Sequence, residues 1–68
     1  MIGNIVMYYD NGEVSEKYSF RGGEINGPYE SYYPDGSLRR KGSYRMGEIV
    51  GRWYFRDRSG NETTYDYD

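Results

Sequence analysis

A chain of 68 residues with a formal net charge of −2 makes at most one domain, and a core drawn from so few residues supplies only roughly 3–5 kcal/mol. It has neither cysteine nor histidine, which excludes disulfides and the usual zinc sites as staples, so repetition or a partner has to help. The weak, mixed charge gives no electrostatic reason to expect a phosphate backbone as ligand. No apolar run nears the roughly 20 residues of a membrane-crossing helix, and Ile2-Gly3-Asn4 after Met1 is no leader core, so a cytoplasmic protein without membrane insertion is expected.

Ten tyrosines, one tryptophan and two phenylalanines stand beside ten glycines, with no alanine or glutamine. That composition suits pleated, half-buried strands, because a tyrosine ring packs while its hydroxyl stays near water. In chain order, a first strand ends at Tyr8-Tyr9, and Asn11-Gly12 predicts a two-residue hairpin loop of the primed type. A return strand runs from Val14 to the connection Arg21-Gly22-Gly23-Glu24. The next outgoing strand carries Tyr29, Ser31 and Tyr33 on one face and Glu30 and Tyr32 on the other. Pro34 stiffens the approach to a second loop at Asp35-Gly36, and Leu38, Arg40, Gly42 and Tyr44 are expected to share a face of the strand that follows. Arg45-Met46-Gly47-Glu48 reconnects to a third unit, whose aromatics sit displaced at Tyr54 and Phe55 and which has Arg56-Asp57-Arg58 where the earlier units have tyrosines. Thr63–Asp68 keeps strand propensity.

The units superimpose on one another. Gly3, Gly27 and Gly51 fall in one column and Gly12, Gly36 and Gly60 in a second, a period of 24 without a gap. Ile5, Tyr29 and Trp53, Phe20 and Tyr44, and Ser19 and Ser43 fall in register between them. A fixed period in this range marks a repeat architecture in which each unit packs on its neighbours. The expected fold is all-β: a single domain over 1–68 of three tandem 24-residue β-hairpin repeats, about 3–26, 27–50 and 51–68, in an elongated, twisted antiparallel meander of about six strands. The third repeat reads as a cap, since a terminal unit has to finish the stack with a polar edge.

Aromatics on both faces of the outgoing strand cannot all be covered in one sheet layer, so one aromatic face is expected to stay exposed unless the sheet curls or meets a partner. Without histidine or cysteine the common nucleophile–base pairs cannot form, the serines lack an activating neighbour, and the carboxylates read as solvated strand charge. No enzyme activity, cofactor or metal is expected. Tyr, Trp and Arg dominate binding energy at interfaces. The candidate partner-binding residues are therefore Tyr8, Tyr32, Tyr44, Trp53, Phe55, Arg39, Arg40 and Arg45, with Tyr8, Tyr32 and the arginines expected on one face. Arginines interleaved with Tyr44 and Trp53 also invite stacking on nucleic acid, but Glu30, Glu48 and Asp57 break up the basic segment, and nucleic acid ranks low.

The blocks Gly27-Pro28-Tyr29-Glu30-Ser31-Tyr32-Tyr33-Pro34-Asp35-Gly36 and Gly51-Arg52-Trp53-Tyr54 resemble the G-x-W-x-x-Y-Y-x-[ND]-G pattern of the MORN-repeat variant. Lys41-Gly42-Ser43-Tyr44-Arg45-Met46-Gly47-Glu48 is similar to that family's return strand, and the resemblance spans nearly the whole chain. It implies a string of hairpins in a twisted sheet. Its small bacterial or phage-type members include antitoxins, and the wider class is associated with scaffolding and with phospholipid head groups. The leading expectation is a protein-binding module that neutralises a toxin or host enzyme. The alternative is a self-assembling scaffold, with a homodimer through the aromatic face or a sheet edge; a nucleic-acid or phospholipid head-group binder ranks below both.

Overall fold

The computed structural model describes residues 2–67. Six strands follow one another in space as they do in sequence: β1 (Ile2–Tyr8), β2 (Val14–Arg21), β3 (Glu24–Tyr32), β4 (Leu38–Arg45), β5 (Glu48–Arg56) and β6 (Glu62–Tyr67). Each is antiparallel to the next in one open sheet. The expected all-β meander of six strands is therefore the fold. The backbone fills 35 × 30 × 10 Å, the thickness of one strand layer. Among the described residues no helix is long and apolar enough to cross a membrane.

The turns differ from expectation in where each type falls. At the Asn11-Gly12 end, Gly12 N–H donates to the Tyr9 carbonyl and Tyr9 N–H to the Glu13 carbonyl. This is a three-residue loop closed by a left-handed glycine, not a two-residue primed turn. The same pair of bonds recurs from Gly36 and Tyr33 and from Gly60 and Asp57, with φ of +90°, +90° and +91° at the three glycines. The primed two-residue turns lie at the opposite end of the sheet, at Gly22-Gly23 and at Met46-Gly47, where Met46 takes a left-handed φ of +50°.

Cross-strand rows sort the side chains. One face carries the row Met7–Glu16–Ser31–Arg40–Phe55–Thr63 and, beside it, Ile5–Tyr18–Tyr29–Gly42 and Trp53–Tyr65. The other carries Val6–Lys17–Glu30–Lys41–Tyr54–Thr64. Register shifts next to the first two loops leave Ser15 and Arg39 unpaired and place Leu38 opposite Tyr32. Leu38 thus leaves the face of Arg40, Gly42 and Tyr44 where simple alternation put it. The third hairpin runs without such a shift from Gly51↔Tyr67 to Arg56↔Glu62. It is one residue shorter, and Tyr65 rather than Asp66 fills the position held by Tyr18 and Gly42.

The core is Trp53, 1 % exposed, with Tyr29 and Ser31. The pairing of β4 and β5 shifts between Lys41 and Ser43, and the indole lies over Gly42 at that gap. Trp53 Nε1–H is shared between the carbonyls of Ser43 (3.2 Å) and Val50 (3.1 Å). Around the indole stand Tyr29, Tyr44, Phe55 and Tyr67, with ring centroids 5.2–6.4 Å away. Edge-to-face pairs such as Tyr44–Trp53, at 88°, are the favoured aromatic geometry.

Hydroxyl bonds tie each repeat to the next. Tyr9 Oη donates to the Tyr32 carbonyl at 2.5 Å, and its counterpart Tyr33 donates to the Arg56 carbonyl at 2.6 Å. Asn11 Nδ2 also reaches the Pro34 carbonyl at 2.9 Å. In the third unit the same column holds Asp57, whose carboxylate accepts from Ser59 N, Asn61 N and Asn61 Nδ2 within its own loop.

Two predictions follow from this packing. A methyl at Gly42 would collide with Cδ2, Cε2 and Cγ of the indole, so Gly42→Ala should cost about 1–3 kcal/mol of overpacking, read as a lower urea midpoint with a red shift of the Trp53 emission. Tyr9→Phe and Tyr33→Phe should each cost about 1 kcal/mol; equal losses in the two variants support a repeated inter-unit bond, and no loss in either refutes it.

Candidate interaction surfaces

The candidate partner-binding residues do not lie together. Trp53 is the core itself, and its 1 % exposure leaves no ring surface for a partner; that expectation is corrected by the closing of the other aromatics around it. Tyr44 and Phe55 are half-buried beside it on the same face. Arg40 shares this face, with its guanidinium carbon 5.8 Å from the Tyr29 ring centroid. Tyr32 lies on the opposite face, where its hydroxyl donates to Glu30 at 2.8 Å. Tyr8, directly opposite Val14 on β1, is 64 % exposed. Arg45 pairs with Glu48 across the Met46-Gly47 turn, at the far end of β4 from Arg39. The grouping of Tyr8 and Tyr32 with Arg40 on one face therefore does not occur, because Ser31 and Arg40 pair on the side away from Tyr32.

Two surfaces remain with unused binding capacity. The first is β1, an edge of the described sheet. Its seven residues, Ile2–Tyr8, include no charge and no proline, and Val6, Met7 and Tyr8 are all more than two-fifths exposed. An uncharged, unbroken edge strand is a template for another chain's backbone.

The second lies at the loop end of β3 to β6 and centres on Tyr33, a residue not singled out from the sequence. The guanidinium carbons of Arg39 and Arg58 stand 5.8 and 5.9 Å from its ring centroid. A groove of about 340 Å³ runs between the second and third loops, lined by Tyr33, Pro34, Asp35, Arg56, Asp57 and Arg58 among others. A neighbouring groove of about 290 Å³ adds Arg39, Arg40 and Phe55. The signal for this cluster was present in the sequence as Arg39-Arg40 and Arg56-Asp57-Arg58, but what joins them is Tyr33, which bridges to β5 through its hydroxyl. Among the described residues there is no cluster of acidic side chains fit for a metal ion.

Tyr29 has the most perturbed titration. Burial, followed by its 2.6 Å hydrogen bond to Glu16, pushes the phenol up to about 12. Tyr32 and Tyr54 are also raised, by desolvation first and then by Glu30 and Glu62 respectively. At the loops, the Asp35 and Asp57 carboxylates sit below their ordinary range, held there mainly by the side chains of Ser37 and Asn61.

Compared with known proteins, the sequence matches the MORN repeat variant over residues 1–21 and 25–46, more than half the chain. Neither a curated protein nor a solved structure gives a significant match. The matched family is one of repeat-based binding or scaffold modules and is generally non-catalytic.

Because the folded state holds the Tyr29 phenol neutral, its stabilising contribution is complete below the unfolded value near pH 10 and is lost as pH rises toward about 12. The urea midpoint should therefore fall through that window, and Tyr29→Phe should flatten the fall; an unchanged slope in the variant would show that the phenol is not its source.

Proposed function

This chain belongs to the MORN repeat variant family, and from that premise we propose that it is a protein-binding module that neutralises a toxin or other enzyme by covering it. The observation that carries the reading is the one-layer sheet. A layer 10 Å thick buries one aromatic cluster and leaves the β1 edge, with Val6, Met7 and Tyr8, open to another chain. Addition of an extended segment to such an edge uses main-chain hydrogen bonds for affinity and alternate side chains for specificity. The exposed Tyr8 ring supplies the kind of anchor that concentrates binding energy.

The open edges favour a second reading. β1 and β6 bound the described sheet, and pairing between copies of the chain would make a self-assembling scaffold from the same chemistry.

Capture by the tagged chain from its own cells, beside light scattering of the chain alone, separates the two. The protein-binding reading expects one stoichiometric protein, lost when Val6→Lys and Tyr8→Ala are combined, whose catalytic or toxic activity falls on mixing with the chain. Retention by the double variant refutes the β1 edge as the contact. A bound protein whose activity is unchanged refutes neutralisation. No captured protein, with mass rising with concentration and Val6→Lys restoring the monomer, replaces the reading with the scaffold.

A further inference from the structure

We propose that the groove around Tyr33 seats an acidic, extended segment of the protein partner, with Arg39, Arg40, Arg56 and Arg58 receiving its carboxylates; this rests on the protein-binding reading and gives the partner a chemistry. Four of the chain's nine cationic residues gather here although the whole chain carries −2. Among the described residues the one ion pair is Arg52–Asp66, at 2.9 Å and outside the groove. The four arginines thus hold positive charge without an ion-pair partner.

The nearest acids are already engaged. Asp35 Oδ1 accepts from Ser37 N and Ser37 Oγ, at 2.8 and 2.6 Å. Asp57 accepts three bonds from Ser59 and Asn61 at 2.9–3.1 Å. These bonds build the two loops, so the carboxylates wall the groove without chelating its guanidinium groups. Arg40 lines the neighbouring groove with its guanidinium carbon 5.8 Å from the Tyr29 ring centroid, and its buried Nε has no hydrogen-bond partner among the described residues. Arg39 and Arg58 both lie over the Tyr33 ring within cation–π range, and neither is engaged in an ion pair among the described residues, so their guanidinium groups are open to bidentate contact with carboxylates. The two adjoining grooves, of about 340 and 290 Å³, each lie near the lower end of the roughly 300–1,000 Å³ usual for ligand sites, suited to one or two side chains apiece and not to a folded surface.

A peptide fits better than a nucleic acid. Binding of single strands needs open aromatic faces for the bases. Here Arg39 and Arg58 lie over Tyr33, and Phe55 and Trp53 stack on each other at 25°.

The test is fluorescence polarisation with a labelled octapeptide of alternating glutamate and glycine, its glutamine counterpart, a short single-stranded thymidine oligomer and inorganic phosphate as competitors. Arg39→Glu combined with Arg58→Glu should weaken the glutamate peptide by at least about tenfold, while Arg45→Glu, at the other end of β4, should change it by no more than about twofold. Both altered positions are exposed, and circular dichroism checks that the fold is kept. Equal binding of the glutamine peptide, an Arg45→Glu effect as large as that of the groove variant, or stronger competition by the oligomer or by phosphate would each overturn the proposal. Absence of peptide binding by the wild-type chain, with its partner still captured, defeats the groove alone. Peptide binding without any captured partner defeats the protein-binding reading instead.

Discussion

A sheet with nothing packed against it has to be its own second layer. In this molecule the large rings fold down over the strands and cover one another, and the arrangement turns on Trp53 lying across Gly42. The indole can reach that position only because the facing residue has no side chain and because the β4–β5 pairing loosens there. Its N–H then serves the two carbonyls beside the gap. Tyr29, Tyr44, Phe55 and Tyr67 close around it, and the remaining rings continue the cluster outward through Tyr18 and Tyr65. A few side chains thus take the place of a hydrophobic core, consistent with the small burial available to so short a chain.

Repetition supplies the second element of cohesion. In such architectures stability is nearly a sum of units and nearest-neighbour terms, and the neighbour term here has identifiable atoms, the Tyr9 and Tyr33 hydroxyls on carbonyls one repeat further on. The replacement of tyrosine by Asp57 in the third unit follows the same logic. A side chain too short to reach another repeat turns inward and secures its own loop.

The strands, their order and the repeat were legible because glycine columns and tyrosine alternation are strong signals at fixed spacing. What was not legible came from single unpaired residues. One residue left over after each of the first two loops, Ser15 and Arg39, reverses the face of what precedes it, and a period-2 reading carries no record of it. Simple alternation thus puts Leu38 with Arg40, whereas it lies on the opposite face. The turn types were exchanged for a related reason: Asn-Gly and Asp-Gly fit both the primed turn and the three-residue loop, and only the count of paired residues distinguishes them. Of the candidate binding residues, Trp53 is structural and Arg45 lies at the far end of β4, while the role of Tyr33 depends on a contact 23 residues away that no local pattern encodes.

Net charge describes this surface poorly. The acidic residues outnumber the basic ones by two, yet most of the interacting carboxylates are hydrogen-bonded to hydroxyls and loop amides: Glu16 to Tyr29, Glu30 to Tyr32, Glu62 to Tyr54, and Asp35 and Asp57 to their own turns. Their charge remains, but their oxygens are occupied in holding the sheet and its loops in shape. Among the described residues the arginines form no ion pair apart from Arg52 with Asp66. A chain that uses its acids for architecture leaves its guanidinium groups available, and a tyrosine-rich sheet promotes this division of labour because each phenol seeks an acceptor. The positive groove around Tyr33 is thus a by-product of how the tyrosines are satisfied, arising in a protein whose composition alone would classify it as mildly acidic.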